Sequence, residues 1–205
     1  MDRLAELDVE VRAGVEASPA LLAELGPGLV VVATGARPRP PDGLAGAIPV
    51  RDVLAGALPG AGRVVVVDRQ GGYPAVDAAR VAARAGRPVT VLTEDPVVSS
   101  QLAPIAELPP WYREAAAHGI ELRPLTTVLG WERGCLRLRH RFGPAEDELA
   151  TDCVVLADHE LPDDELYHLL VGALPGVEIR RVGDCVAPRR VLHAVLEGGR
   201  AGRSA

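Results

Sequence analysis

Apolar positions along this 205-residue chain fall into short unbroken runs set between stretches with helical spacing. Residues 29–33 form one run, 64–67 a second, 89–92 a third and 153–156 a fourth. A run that is apolar at every position, not every other, predicts a strand covered on both faces, as in a parallel sheet. Residues 74–85 instead carry apolar side chains at helical intervals and stop at Gly86, which predicts a helix and its cap. Further helices are predicted over 18–25, 51–55, 104–118, 163–171 and 189–200. Four β-prone runs at 120–123, 126–131, 135–141 and 146–149 predict a small antiparallel meander, and 177–182 a late strand. Residues 4–12 read as the end of a helix followed by a short strand from Val9 to Arg12.

Strands alternating with helices predict an α/β fold with parallel sheets. Residues 37–41 hold Pro38, Pro40 and Pro41, which no helix tolerates, so a connection between units is expected there. We expect residues 1–47 and 157–205 to form one domain and 48–156 another. The second would hold two βα units, the meander and a closing strand, the layout of the pyridine-nucleotide half of flavoproteins with two dinucleotide-binding domains.

One turn breaks that layout. The 64–67 run leads into Asp68-Arg-Gln-Gly-Gly-Tyr73 and then a helix, the order of a dinucleotide-binding βαβ unit. A pyrophosphate turn needs glycine where Asp68 and Tyr73 stand, for the tight bend and for close approach of backbone to phosphate. A carboxylate there repels the anion and a phenol fills its space, so this turn is expected to be closed.

Composition narrows the function. A net charge of -6 gives no basic face for nucleic acid or anionic lipid. No apolar stretch reaches membrane-spanning length and no signal peptide opens the chain, so a cytoplasmic location is the expectation. All 22 basic residues are arginine, which leaves no Schiff-base or phosphate-loop lysine. Cys135, Cys153 and Cys185 lack Cys-x-x-Cys spacing and are expected to be buried in strands. The five histidines are not at metal-ligand spacing. Trp111-Tyr112 reads as a core anchor or an interface hot spot.

Three landmarks occur in order: Val30-Val-Val-Ala-Thr-Gly-Ala-Arg-Pro38, the βαβ unit opening at Val64, and Gly183-Asp-Cys-Val-Ala-Pro-Arg-Arg-Val-Leu-His193 followed by Glu197-Gly-Gly-Arg-Ala-Gly202. Together they resemble the C-terminal region of the trimethylamine dehydrogenase and 2,4-dienoyl-CoA reductase family, in which an old-yellow-enzyme-like barrel precedes two nucleotide-binding domains. The resemblance implies a Rossmann-like, FAD/NAD(P)-binding type of fold with its first domain truncated, because the first Gly-x-Gly-x-x-Gly βαβ is not in this sequence. It also implies that FMN and a 4Fe-4S cluster would lie in a partner chain, a barrel flavoprotein subunit. This chain would then be an accessory subunit, not catalytic alone, completing an ADP or FAD site. A scaffold or interaction module is the alternative, and an independent NAD(P)H-dependent reductase a third.

The same resemblance singles out Gly183 and Asp184 as cofactor-binding, with Thr34 and Gly35 beside them, and Arg37 and Arg189 as partners for phosphate. Each has a plainer reading: Asp184 satisfying backbone donors, Thr34-Gly35 a tight turn, Arg189 and Arg190 a solvated face. Glu94 stands where an acidic ribose ligand would lie, although the glycines that should accompany it are missing.

Overall fold

The computed structural model describes residues 6–7, 9–58 and 60–204. In chain order the elements are α1 (Pro19–Leu25), β1 (Leu29–Val32), β2 (Ala36–Arg37), β3 (Ile48–Pro49), α2 (Val50–Leu54), β4 (Val64–Asp68), α3 (Tyr73–Arg84) and β5 (Val89–Leu92). A 3-10 turn (Ser100–Ile105), α4 (Leu108–Ala117), β6 (Glu121–Arg123), β7 (Thr126–Glu132), β8 (Cys135–His140), β9 (Glu146–Ala150) and β10 (Cys153–Ala157) follow. The chain closes with β11 (Leu161–Pro162), α5 (Glu165–Ala173), β12 (Glu178–Arg181), a second 3-10 turn (Gly183–Cys185) and α6 (Val191–Arg203). They form two units: Pro38–Glu160, and Met1–Arg37 with Leu161–Ala205.

The Pro38–Glu160 unit is organised by a five-stranded parallel sheet of order β3-β10-β4-β5-β6. Strands β4, β5 and β10 are buried at every position, as their unbroken apolar runs require. Because strand side chains alternate, Val64, Val66, Val89, Val91 and Val155 share one face with Ala75, Val76, Ala79 and Ala82 of α3 and Trp111 of α4. Val65, Val67, Leu92, Val154 and Leu156 share the other with Leu136, Leu138 and Leu149 of the antiparallel β7-β8-β9 meander.

In the second unit β1 pairs in parallel with β12, Val32 opposite Arg181, and β2 pairs antiparallel with β11. Its buried cluster is small: Val32, Leu170 and Cys185. Ser18 starts α1 by accepting the Leu21 amide at 3.3 Å, and Gly26, at φ 59°, ends it.

Three expectations are corrected. Val9–Arg12 is not a strand, since no strand pairs with it, and Val9 and Val11 are exposed. The helix expected over 104–118 begins at Leu108, because Pro104 falls in the preceding 3-10 turn and Pro109-Pro110 occupy the first helical turn, where an amide donor is dispensable. The run at 120–123 leaves the meander and pairs in parallel with β5, Leu122 opposite Val91. The part of residues 4–12 read as a helix end includes positions outside the described residues. Of the cysteines expected to be buried in strands, Cys153 is; Cys135 lies in a strand but is only half-buried, and Cys185 is buried but sits in a turn. No helix among the described residues is long and apolar enough to cross a membrane.

Candidate functional site

The carboxyl ends of β4 and β5 carry the turn whose sequence departs from a phosphate loop. Asp68, the last residue of β4, is 1% exposed, and its Oδ1 accepts the backbone N–H of Gln70 at 3.1 Å and of Gly71 at 2.7 Å. This is an Asx-type turn in which a side chain of the chain itself takes the amides that would otherwise face an anion. Burial pushes the Asp68 carboxyl up to about 6, against the pull of the Gly71, Gln70 and Ser99 amides, and Asp95 adds to the rise. Its Oδ2 is buried with no hydrogen-bond partner in the protein.

Tyr73 does not fill the turn, being 42% exposed. The segment after β5 does. Gln101 donates its amide to Gly71 O at 2.9 Å and its side-chain Nε2 to Gln70 O at 2.7 Å. Gly71 has φ 73°, and a Cβ there would stand 2.7 Å from Ser100 Oγ, so the position admits only glycine. Beside the turn is a cleft of about 260 Å³ lined in part by Asp68, Thr93, Glu94, Asp95, Thr126 and Arg141. Arg141 donates to the Glu94 carbonyl at 2.8 Å, and Arg69 is taken by Asp158 at 2.8 Å. A dinucleotide's diphosphate would meet the carboxylates of Glu94 and Asp95 here, with Asp68 behind them and the Gln70 and Gly71 amides already taken.

A second set of strand ends lies in the other unit. Pairing of β1 with β12 continues through the Val182 amide to Val32 O at 3.0 Å, which brings Thr34-Gly35 and Gly183-Asp184 to the carboxyl ends of neighbouring parallel strands. The Thr34 hydroxyl donates to Asp163 O, and the Asp163 amide returns a bond to Gly35 O at 3.1 Å. Gly35 has φ 84° with open space where a side chain would be, and Arg37 is exposed. Gly183, at φ 73°, is buried against Ala194 of α6.

Sequence reasoning singled out six residues here and passed over the one that ties two of them, Gly183 and Arg189, together. Glu197 of α6 accepts the Gly183 amide at 2.8 Å with one oxygen and Arg189 with the other. These two donors, the Gly183 amide first, hold its carboxyl below the usual range. Asp184 accepts the Arg189 amide at 3.1 Å. Gly183, Asp184 and Arg189 therefore meet around Glu197, while Thr34, Gly35 and Arg37 gather on the Asp163 and Leu161 side. Arg190, at the start of α6, is exposed.

Both turns lie outside the carboxyl ends of parallel strands, where open α/β sheets place their ligands. No family model matches the chain. The N,N-dimethylglycine/sarcosine dehydrogenase of Chromohalobacter salexigens is 25% identical over 239 residues, covering 95% of this chain and 34% of its own. The structure of the 6-hydroxypseudooxynicotine amine oxidase of Pseudomonas geniculata N1 superposes with a TM-score of 0.89 at 28% identity, over 95% of this chain and 31% of that protein. The histamine dehydrogenase of Rhizobium sp. 4-9 gives 0.89 at 22%, over 96% and 33%. The fold is the FAD/NAD(P)-binding type of flavin oxidoreductases. This chain spans about a third of the length of each relative. Within that fold it lines both strand-end turns with carboxylates of its own, Asp68 at one and Glu197 at the other.

Proposed function

We propose that this chain is an accessory, non-catalytic component of a flavin-dependent oxidoreductase. It completes a nucleotide site of ADP or FAD type at the β1 and β12 strand ends. The substrate chemistry belongs to a partner barrel flavoprotein carrying FMN and a 4Fe-4S cluster. The carrying observation is the contrast between the two internal carboxylates. Asp68 is sealed at 1% exposure, so its turn stays shut to phosphate. The Glu197 side chain is 25% exposed and is shared between an amide and Arg189, both of which are ligands an incoming phosphate would use.

In that site Gly183 offers its amide once Glu197 swings away, Arg189 transfers from carboxylate to phosphate, and Arg37 supplies a second guanidinium. Asp184 accepts from a ribose or ribityl hydroxyl with the oxygen that Arg189 leaves unused. These residues fit the hydroxyl and single-phosphate parts of a nucleotide. They do not make a diphosphate cradle, which the partner supplies. The bound nucleotide serves a structural role here, and electron transfer belongs to the partner's flavin.

A scaffold without any nucleotide is the second reading, favoured by the Gly183 amide and the Asp184 carboxylate both being satisfied inside the chain. One experiment separates the two. The tagged chain is purified from its own host, and the complex is examined for flavin and iron–sulfur absorption and for nucleotide released on denaturation. Both signatures in stoichiometric amount are expected, with retained nucleotide reduced by Asp184→Ala and reduction of the partner's flavin unchanged. A colourless preparation without nucleotide sinks the proposal in favour of the scaffold.

A further inference from the structure

Helix α6 turns small residues inward. Ala194 packs on Gly183, Ala201 is 7% exposed, and Glu197 between them holds the Gly183 amide. At 100° per residue this leaves Val191, Leu192, Val195 and Leu196 turned away from that face. They are 79%, 60%, 65% and 47% exposed, a continuous strip of large aliphatic side chains. Exposed apolar residues scattered singly need no explanation, but four on one side of a helix mark a contact surface. Arg190 precedes the strip and Arg200 and Arg203 follow it, and none of the three has an ion pair among the described residues.

We propose that this face of α6 is the docking surface for the partner polypeptide, and that the partner presents there an apolar patch edged by aspartate or glutamate. The inference rests on the accessory reading above and adds where the partner sits and what its surface must be. Two observations choose the occupant. About two-thirds of each relative lies outside the part this chain matches, and a partner of that kind would be large enough to cover the strip. The arginines at both ends call for carboxylates opposite, because a buried apolar contact with unpaired guanidinium at its rim gains little specificity. A second copy of this chain fits poorly. An antiparallel pair of α6 helices about a two-fold axis sets Arg190 of one against Arg200 and Arg203 of the other.

The probe is the Chromohalobacter salexigens dehydrogenase with the region matching this chain deleted, titrated with the intact chain. We expect a complex that weakens as salt rises. Leu192→Asp with Val195→Asp should weaken it at least about 30-fold, since truncated anchors at an interface centre lose roughly 2 kcal/mol or more. Arg190→Glu with Arg200→Glu should weaken it and remove the salt dependence. All four positions are exposed, and unchanged thermal melting confirms that the variants fold. Binding indifferent to both pairs overturns the location, as does a wild-type chain that dimerises through the strip or sediments with anionic vesicles. Those outcomes leave the accessory reading standing if the host complex still carries flavin. No binding by the probe together with a colourless host preparation removes both.

Discussion

Asp68→Asn tests the central structural claim, that a carboxylate has been sealed into the turn where an anion would bind. The carboxyl sits at about 6 in the folded protein against 3.8 when free. The folded state therefore binds a proton more tightly than the unfolded chain, and stability is lost as pH rises through this interval. A difference of that size is worth about 3 kcal/mol, a cost absent below about pH 4 and fully incurred above about pH 6. Asparagine keeps the Oδ1 acceptor for Gln70 and Gly71 while removing the charge. It puts an amino group in place of Oδ2 on the side of Ser99, whose hydroxyl is buried without a partner and can accept from it, while the Ser99 amide, a donor, loses the charge it faced. The variant should be more stable than wild type at neutral pH by up to about 3 kcal/mol, less the strength that charge lends to the pull of the Gly71, Gln70 and Ser99 amides. Its advantage should vanish toward about pH 4. Urea unfolding followed by circular dichroism across that range measures both curves. A wild type that gains stability on the variant as pH rises would show that the Asp68 charge is paired, and the sealed turn would be wrong. Asp68→Ala should act in the opposite direction, costing about 1–3 kcal/mol for each amide left without an acceptor.

Trp111→Ala should destabilise the Pro38–Glu160 unit by about 3–5 kcal/mol in the same unfolding assay, because Trp111 is 1% exposed in the helical face of the core with Arg80 stacked 5.6 Å from its ring. Tyr112→Ala, at 37% exposure, should cost far less. Gly183→Ala should lower stability by about 1–2 kcal/mol, since φ 73° is strained for alanine and its methyl would press on Ala194 at 3.4 Å; calorimetry of the purified chain reads this. Titration with NADH and NADPH should show dissociation constants above about 1 mM, and micromolar binding would mean the Asp68 turn opens to phosphate.

The parallel strands were legible because burial on both faces writes itself as near-continuous apolar runs rich in valine and leucine, and β4, β5 and β10 fall where those runs stand. Strand partnership was not. Residues 120–123 look like the first limb of a meander, and only the open edge of β5 decides that they join the parallel sheet. The two-residue strands β2, β3 and β11 have no pattern of their own, since pairing alone defines them. In the closed turn, Asp68 standing two and three residues before the amides it accepts was a readable Asx signal. What fills the turn was not readable, because Ser100 and Gln101 arrive from about thirty residues away and no local rule brings them there. Glu197 lies between these cases. Ala194, Glu197 and Ala201 share one helical face, so an acid on an otherwise small, inward face was a sign that something buried needed an acceptor. Identifying that donor required knowing that α6 packs on the Gly183 turn. The residues that decide whether either turn can hold a ligand are thus set by contacts distant in sequence, while the sheets that position those turns are set by patterns within it.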